Sequence, residues 1–339
     1  MAGTTRVTIR DVASRAGVSV STVSHALSGK GQLRPETRER IRSVATSLGY
    51  RPSRAAQALR MSRTGTIALI VPSAGSRAEE REMISLDYYM SIAAACAQDA
   101  FTRGYSLILP PRLTTADEWQ VLAPDGVILC DPATNDERID LLETLGVPVV
   151  SIERDSGRPE RPHFVAGDNV GNMNELLAHL HGVGARRIAL LWAESSWSWT
   201  LDSRETYEQW CLGHGQRPIV APVSLNHLES ESYRASVSLL ESDPRPDAMI
   251  ASAERYADGL LHACRERGLR VPHDVLVASG IDNHVLRQHD PPVTAIDLEP
   301  AAQAHAAVEM LHLRLEGGEV TEPRIVPSKL HVRRSTQPG

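Results

Sequence analysis

The sequence predicts an α/β body of two similar lobes with parallel sheets, preceded by a small all-α unit of helix-turn-helix type. Three observations lead there. From Thr66 onward, short apolar runs alternate with longer amphipathic ones, and the series runs twice. Before Thr66, three short amphipathic runs succeed one another with no strand pattern between them. The charge divides at the same place. Residues 1–63 hold twelve of the 36 Lys and Arg but three of the 42 Asp and Glu, a net of +9, which leaves 24 and 39, a net of −15, for the rest. A chain of 339 residues exceeds one ordinary core, so more than one domain is expected.

In the head, Ile9, Val12, Ala13 and Ala16 fall at i, i+3, i+4 and i+7 on one helical face. Gly17 breaks that helix and Val18 can tuck inward from the turn. Ser19 suits the N-cap of the next helix, where its hydroxyl accepts from a free backbone N–H. Val23, Ala26 and Leu27 line one side of this second helix; Val20, Ser21, Ser24 and His25 line the other. After a loop with Gly29 and Gly31, Pro35 fits a first helical position and Glu36 the positive helix end. Ile41, Val44, Ala45 and Leu48 then form a third apolar stripe, which Gly49 ends.

Such a unit lays its second helix in the major groove of DNA, with side chains near the helix start reaching base edges. A polar outer face at residues 20–25 makes sense if a duplex covers it. Val20 can touch a thymine methyl, and Ser21 and His25 can hydrogen-bond base edges. Arg10, Ser24, Arg38, Arg42 and Arg51 are read as phosphate contacts, which hold register without reading sequence. The stretch "RPSRAAQALRMSRTG" holds good helix formers after Pro52 but is too short to stand alone in water, so its helix requires a partner.

"VTIRDVASRAGVSVSTVSHALSG" and "PETRERIRSVATSLGYRPSRAAQALR" resemble the DNA-binding head of the LacI/GalR family of bacterial transcription regulators, nearly without gaps over residues 7–60. The resemblance implies that Val20, Ser21 and His25 are the base-reading positions. It also implies that the stretch after Pro52 is a hinge helix. Two copies would pair across a homodimer in the minor groove, with Leu59 as the wedge between base pairs and Ala55 and Ala56 small enough for close approach.

In the body, "TIALIVP", "SLILPP", "DGVILC", "VPVVSIE", "RIALLWA", "DAMIASA" and "VLVASGID" read as strands. "DYYMSIAAACAQDAFTRGY", "DNVGNMNELLAHLHGVG", "DSRETYEQWCLGHG" and "ADGLLHACRERG" read as helices between them. Ligands in such sheets bind at the carboxyl ends of the strands. The loops after "IVP", "LLWA", "IASA" and "ASG" hold Tyr88, Tyr89, Trp197, Trp199, Arg204, Ser252, Glu254, Asp282 and Asn283. Flat aromatic faces with fixed charged groups suit a polar small molecule such as a sugar or a nucleoside.

"RPHFVAGDNVGNMNELLAHLHGVGARRIALL" and "RGLRVPHDVLVASGIDNHVLRQHDPPVTAIDLEP" carry the resemblance into the body, which is similar to the family's effector domain of two periplasmic-binding-protein-like lobes. By that resemblance Arg204 and Asp282 would hold the effector, and Asp168 opens the matching "DN" motif. The strand-end rule adds Tyr88, Tyr89, Trp197 and Glu254, with stacking on a sugar ring, buried packing or a dimer contact all open for Trp197 and Trp199. The chain departs from the family's pattern at "LDYY", after the inserted "AGSRAEERE", and at Ser252–Ala253–Glu254. The expected division is a head at 1–50, a hinge and linker at 51–64, a first lobe at 65–166 plus about 295–324, and a second at 167–294 plus about 325–339.

Other functions find little in this sequence. No apolar run is long enough to cross a bilayer, and the N-terminal segment lacks a signal core. Cys96, Cys130, Cys211 and Cys264 show no CxxC spacing, as expected of buried thiols in the cytoplasm. His179 and His181, two apart, point to different faces of a helix, so no metal is expected. No nucleotide-binding glycine motif, GxSxG elbow or HExxH occurs, and neither a cofactor nor catalysis is expected. The expectation is a cytoplasmic, homodimeric transcription regulator, read as a repressor, with double-stranded operator DNA and a sugar-like effector as partners. The competing reading, a soluble sugar-binding receptor, leaves the basic head without a use.

Overall fold

The computed structural model describes residues 7–28, 32–50, 63–72, 85–225 and 227–337. The chain forms two compact units, Met1–Gly65 and Thr66–Gly339. The hinge residues Arg51, Ala55, Ala56 and Leu59 lie outside the described residues.

The first unit packs α1 (Ile9–Ala16), α2 (Val20–Ser28) and α3 (Pro35–Ser47) around Val12, Ala13, Ala16, Val23, Ala26, Ile41 and Ala45. Each boundary has a local cause. The Asp11 carboxylate takes the Thr8 N–H at 2.8 Å and its hydroxyl at 2.7 Å, which anchors the start of α1. Gly17, at φ +65°, turns the chain left-handed, and the Val18 N–H returns to the Ala13 carbonyl at 3.1 Å. The Ser19 hydroxyl accepts from the Thr22 N–H at 3.1 Å at the start of α2. Pro35 opens α3 at its first position.

The second unit holds two six-stranded sheets. The first sheet contains β1 (Thr66–Ile70), β2 (Ser106–Ile108), β3 (Gly126–Cys130), β4 (Val149–Ile152), β5 (Phe164–Gly167) and β11 (Arg324–Val326), in the order β2-β1-β3-β4-β5-β11. The second contains β6 (Ile188–Ala193), β7 (Val220–Val223), β8 (Ala248–Ala251), β9 (Leu276–Ser279), β10 (Thr294–Asp297) and β12 (Lys329–His331), in the order β7-β6-β8-β9-β10-β12. Among the described residues, only β10 and β12 pair antiparallel; the other neighbours are parallel. The same strand order occurs twice, so the two lobes repeat one topology.

Parallel strands must be apolar on both faces, and the sequence obliges. Along β1, Ile67 and Leu69 pack toward α4 (Leu86–Thr102) and α12 (Pro300–Leu315). Ala68 and Ile70 pack toward α5 (Ala116–Leu122) and α6 (Glu137–Thr144). Along β6, Ile188, Leu190 and Trp192 meet α7 (Asn169–Gly182) and α8 (Ser198–Gly213). Ala189, Leu191 and Ala193 face the side of α9 (Leu228–Leu240) and α10 (Glu254–Glu266). The short α11 (His284–Gln288) follows β9. Among the described residues no helix is long and apolar enough to cross a membrane.

Helices α9 and α10 approach closely because Gly259 lacks a side chain. A Cβ there would lie 2.6 Å from the Glu229 carbonyl oxygen, 2.7 Å from the Tyr233 nitrogen and 2.2 Å from Ser232 Oγ. Two of these neighbours are backbone, so the helices themselves must separate. Gly259→Ala is expected to cost about 1–3 kcal/mol in urea unfolding, and Ser232→Ala is not expected to rescue it. An unchanged midpoint would contradict this account of the helix contact.

The chain crosses between the lobes three times: after β5 into α7, after β10 into α12, and from β11 into β12. Two expected boundaries move as a result. Strand β10 begins at Thr294 and bonds to β9 and β12, so residues up to Asp297 belong to the second lobe. Strand β11 bonds to β5 and carries the first lobe on to Val326. Strand pairing, which a linear pattern does not reveal, sets both limits.

Candidate nucleic-acid interface and ligand cleft

On the head, α2 presents Val20 (42 % exposed), Ser21 and His25 outward. At 100° per residue, Ser21 and His25 lie within about 40° of each other on the face opposite Val23 and Ala26. The Ser21 hydroxyl lies 2.7 Å from Ser19 Oγ, within the same network that caps the helix. Arg10 and Arg42 are exposed, and Arg38 is half-buried. Ser24 departs from expectation. It is only 6 % exposed, so little of its side chain is open to a phosphate.

In the body, a cavity lies between the lobes. Its walls are the carboxyl ends of β3, β4, β8, β9 and β10 and the starts of α4, α7 and α8. Tyr88 and Tyr89 line it. The Tyr89 hydroxyl donates to Asp131 Oδ2 at 2.5 Å, and the Tyr88 hydroxyl to Gln303 Oε1 at 2.5 Å. The tyrosine rings meet edge to face, 5.3 Å apart. Burial pushes both phenols well above their usual range, so they remain donors.

Two carboxylates form the floor. Asp131 and Glu153 directly follow β3 and β4, which are neighbours in the sheet, and both are buried. Each adopts left-handed backbone, at φ 44° and 72°. Such geometry at a non-glycine costs about 1–3 kcal/mol and collects at functional sites. Burial raises Asp131 to about 7; hydrogen bonds from Tyr89 and Trp199 pull it back, while Glu153 adds to the rise. Glu153 is also raised by burial, although Asn169 Nδ2 donates to it at 2.8 Å, Ser198 Oγ at 3.0 Å and the Gly167 N–H at 3.2 Å.

The expected effector residues fare unequally. Glu254 stands at the start of α10, 2 % exposed, and burial raises it to about 7. It does not line the cavity but lies behind Ser85, which does. The Ser85 hydroxyl lowers it slightly, yet neither Ser85 Oγ nor Glu254 Oε2 completes a well-formed hydrogen bond. Trp197 is displaced from the cavity wall. It stacks on Trp199, with ring centroids 6.1 Å apart, and Trp199 is the tryptophan in the wall.

Arg204 is not in the wall either. Its guanidinium lies 4.7 Å from the centre of the Trp192 ring, with Nε 2.8 Å from Glu208. One position earlier on α8 is a turn of 100°, and it is Ser203 that faces the cavity. Asp282 is occupied as well. Arg333 grips it through both guanidinium nitrogens, at 2.9 and 2.7 Å, and Arg287 adds a bond at 3.0 Å. These partners hold its carboxyl below the usual range despite burial. Asp168 caps α7 by accepting from the Gly171 N–H at 2.9 Å.

The sequence reading passed over Asp131, Glu153, Asn169 and Ser203. The rule that ligands sit at strand carboxyl ends covered the first two, since each follows an apolar strand run directly. The strand order was needed to show that those two ends adjoin.

The lobes are joined across the cleft mouth. Ser198 bonds to Glu153, Arg154 to Asp202, Thr134 to the Ser196 carbonyl at 3.2 Å, and His284 Nδ1 to Asp87 at 2.5 Å. A molecule held between the lobes would therefore act on contacts from both.

A two-lobed ligand-binding body preceded by a basic helix-turn-helix unit defines a ligand-responsive, DNA-binding regulator of transcription. Residues 8–53 match the bacterial regulatory proteins of the lacI family, and residues 177–336 match the periplasmic binding protein-like domain. The head thus matches a lacI-family DNA-binding domain and the body a periplasmic binding protein-like domain. It is 29 % identical to the HTH-type transcriptional regulator CelR of Thermobifida fusca over 340 residues, covering 97 % of this chain and 98 % of that one. It is 26 % identical to catabolite control protein A of Staphylococcus xylosus, covering 98 % and 99 %. Among solved structures, the CelR–cellobiose complex superposes with a TM-score of 0.71 at 26 % identity, covering 97 % and 100 %. The lac repressor dimer bound to operator and the anti-inducer ONPF gives 0.82 at 22 % identity, covering 98 % and 99 %, a likeness of fold.

Proposed function

We infer that the protein is a cytoplasmic, homodimeric repressor whose hold on a specific operator is set by a small, sugar-like ligand in the interlobe cleft. The cleft carries this reading: a cavity at the strand ends of both lobes, with tyrosine and tryptophan rings beside fixed polar groups. That a regulator 26 % identical over nearly the whole chain is described in complex with cellobiose supports a sugar-like ligand. The lac repressor, described as a dimer on its operator, supports the assembly. Ligand and operator must alter one another's affinity equally, by thermodynamic linkage.

On DNA, Ser21 and His25 read bases and Arg42 binds phosphate. Mobility-shift selection with genomic fragments at moderate salt is expected to return one near-palindromic site. Ser21→Ala or His25→Ala should each cost about 1–3 kcal/mol and relax preference at particular base pairs. Arg42→Ala should weaken all sites alike and reduce the salt slope by about one. If no sequence-selective complex forms, the receptor reading takes over.

A further inference from the structure

The charge lining the cleft is one-sided. Asp131 and Glu153 form its floor, yet among the described residues that line it none is Lys, Arg or His. The groups that bear on Asp131 are Tyr89, Trp199 and Glu153, two neutral donors and a second acid. The donors to Glu153 are an amide, a hydroxyl and a backbone N–H. The nearby Arg154 is committed to Asp202.

A third acid, Glu254, stands behind the wall with Asp87 and Asp258 close enough to raise it further. Ser85, 1 % exposed, lines the same cavity with its hydroxyl in no well-formed hydrogen bond. The floor residues also hold left-handed backbone, a costly geometry at a non-glycine that collects at functional sites. Neutral hydroxyls could satisfy the hydrogen bonds of this floor. Burial favours the protonated form of both acids, so only a cationic ligand gains by drawing them into the charged form, and an anionic ligand would oppose it.

We propose that the effector carries a protonated amine on a small hydroxyl-bearing ring, an amino sugar in chemical class, with the ammonium seated between Asp131 and Glu153. Ser85 and Asn172 then face hydroxyls, and the Trp199 ring lies beside the cation. This rests on the reading of the cleft as the ligand site. Bringing an opposite charge to a buried carboxylate is worth a pKa change of about 1–3 units, hence about 10- to 1,000-fold in affinity for the ammonium over a hydroxyl in its place.

The test is calorimetric titration of the full chain at pH 7 with glucosamine, galactosamine and mannosamine, against glucose, galactose, mannose, N-acetylglucosamine and cellobiose. At least one free amine is expected to bind ten-fold or more tighter than its hydroxyl and N-acetyl counterparts. Asp131→Asn should erase that preference, and Ser203→Trp, which fills the cavity, should abolish binding. A neutral sugar that binds best and is blocked by Ser203→Trp overturns the amine while leaving the cleft as the site. Binding by none of the three amines overturns the amine as well. Binding indifferent to both substitutions removes the cleft reading itself.

Discussion

Ile41→Ala is expected to unfold the head while leaving the body folded. Ile41 is fully buried and packs among Val12, Ala13, Val23 and Ala26, in a cluster of seven buried side chains. Truncating a core isoleucine costs about 2–5 kcal/mol, the higher end where the site cannot collapse. Three helices with no disulfide hold little stability in reserve, and units of this size sit near the bottom of the 5–15 kcal/mol range of folded domains. The body has its own clusters and shares none of these residues. The measurement is limited proteolysis beside ligand titration. Cleavage within residues 7–50 should rise steeply and operator binding disappear, with ligand affinity in the cleft unchanged. The graded control, Ile41→Val, should cost only about 0.5–1.5 kcal/mol. A proteolytically silent Ile41→Ala would mean that the head does not depend on this core.

What the sequence disclosed follows from how each element is stabilised. β1, β3 and β6 are near-continuous apolar runs because helices cover both faces, and such runs stand out. The head was legible almost residue by residue, since its caps are local: Ser19, Gly17 and Pro35 act within a few positions of themselves.

Helix α9 was illegible for a physical reason. Its inner face carries Ser232 and Ser236, which look like solvent residues but are buried. Their hydroxyls donate to backbone carbonyls at 2.9 and 2.7 Å, and their small size admits α10 at Gly259. Strands β11 and β12, three residues each with exposed positions, have no periodicity to read.

The cleft was half legible. Tyr88 and Tyr89 were placed by the rule about strand ends; Arg204 and Asp282 were placed by resemblance, and packing assigned them elsewhere. An arginine can be spent on a neighbouring ring or carboxylate with no change in the linear motif around it. Asp131 and Glu153 escaped because a carboxylate after an apolar run reads as the exit to a loop. Only tertiary burial gives it another meaning.

That burial predicts that Asp131→Asn stabilises the ligand-free body at pH 8 and does little at pH 4. Asp131, 4 % exposed, has its pKa raised from 3.8 to about 7 by desolvation. The folded state therefore holds a proton that the unfolded state releases at lower pH. Its contribution is fully present below about pH 4 and is lost as pH rises toward 7. Three units at 1.36 kcal/mol each put the loss near 4 kcal/mol at most, and sharing with Glu153 and the Tyr89 bond leaves about 2–4. Asparagine keeps an oxygen for the Tyr89 hydroxyl and carries no charge, so the variant should escape most of this loss. Chemical denaturation of both proteins from pH 4 to 8 measures the gap, which should open across that window and then level off. A gap that stays constant with pH would show Asp131 to be ionised at no cost. A stabler apo protein that has lost its ligand preference would instead locate binding energy in the strain and charge stored at this floor.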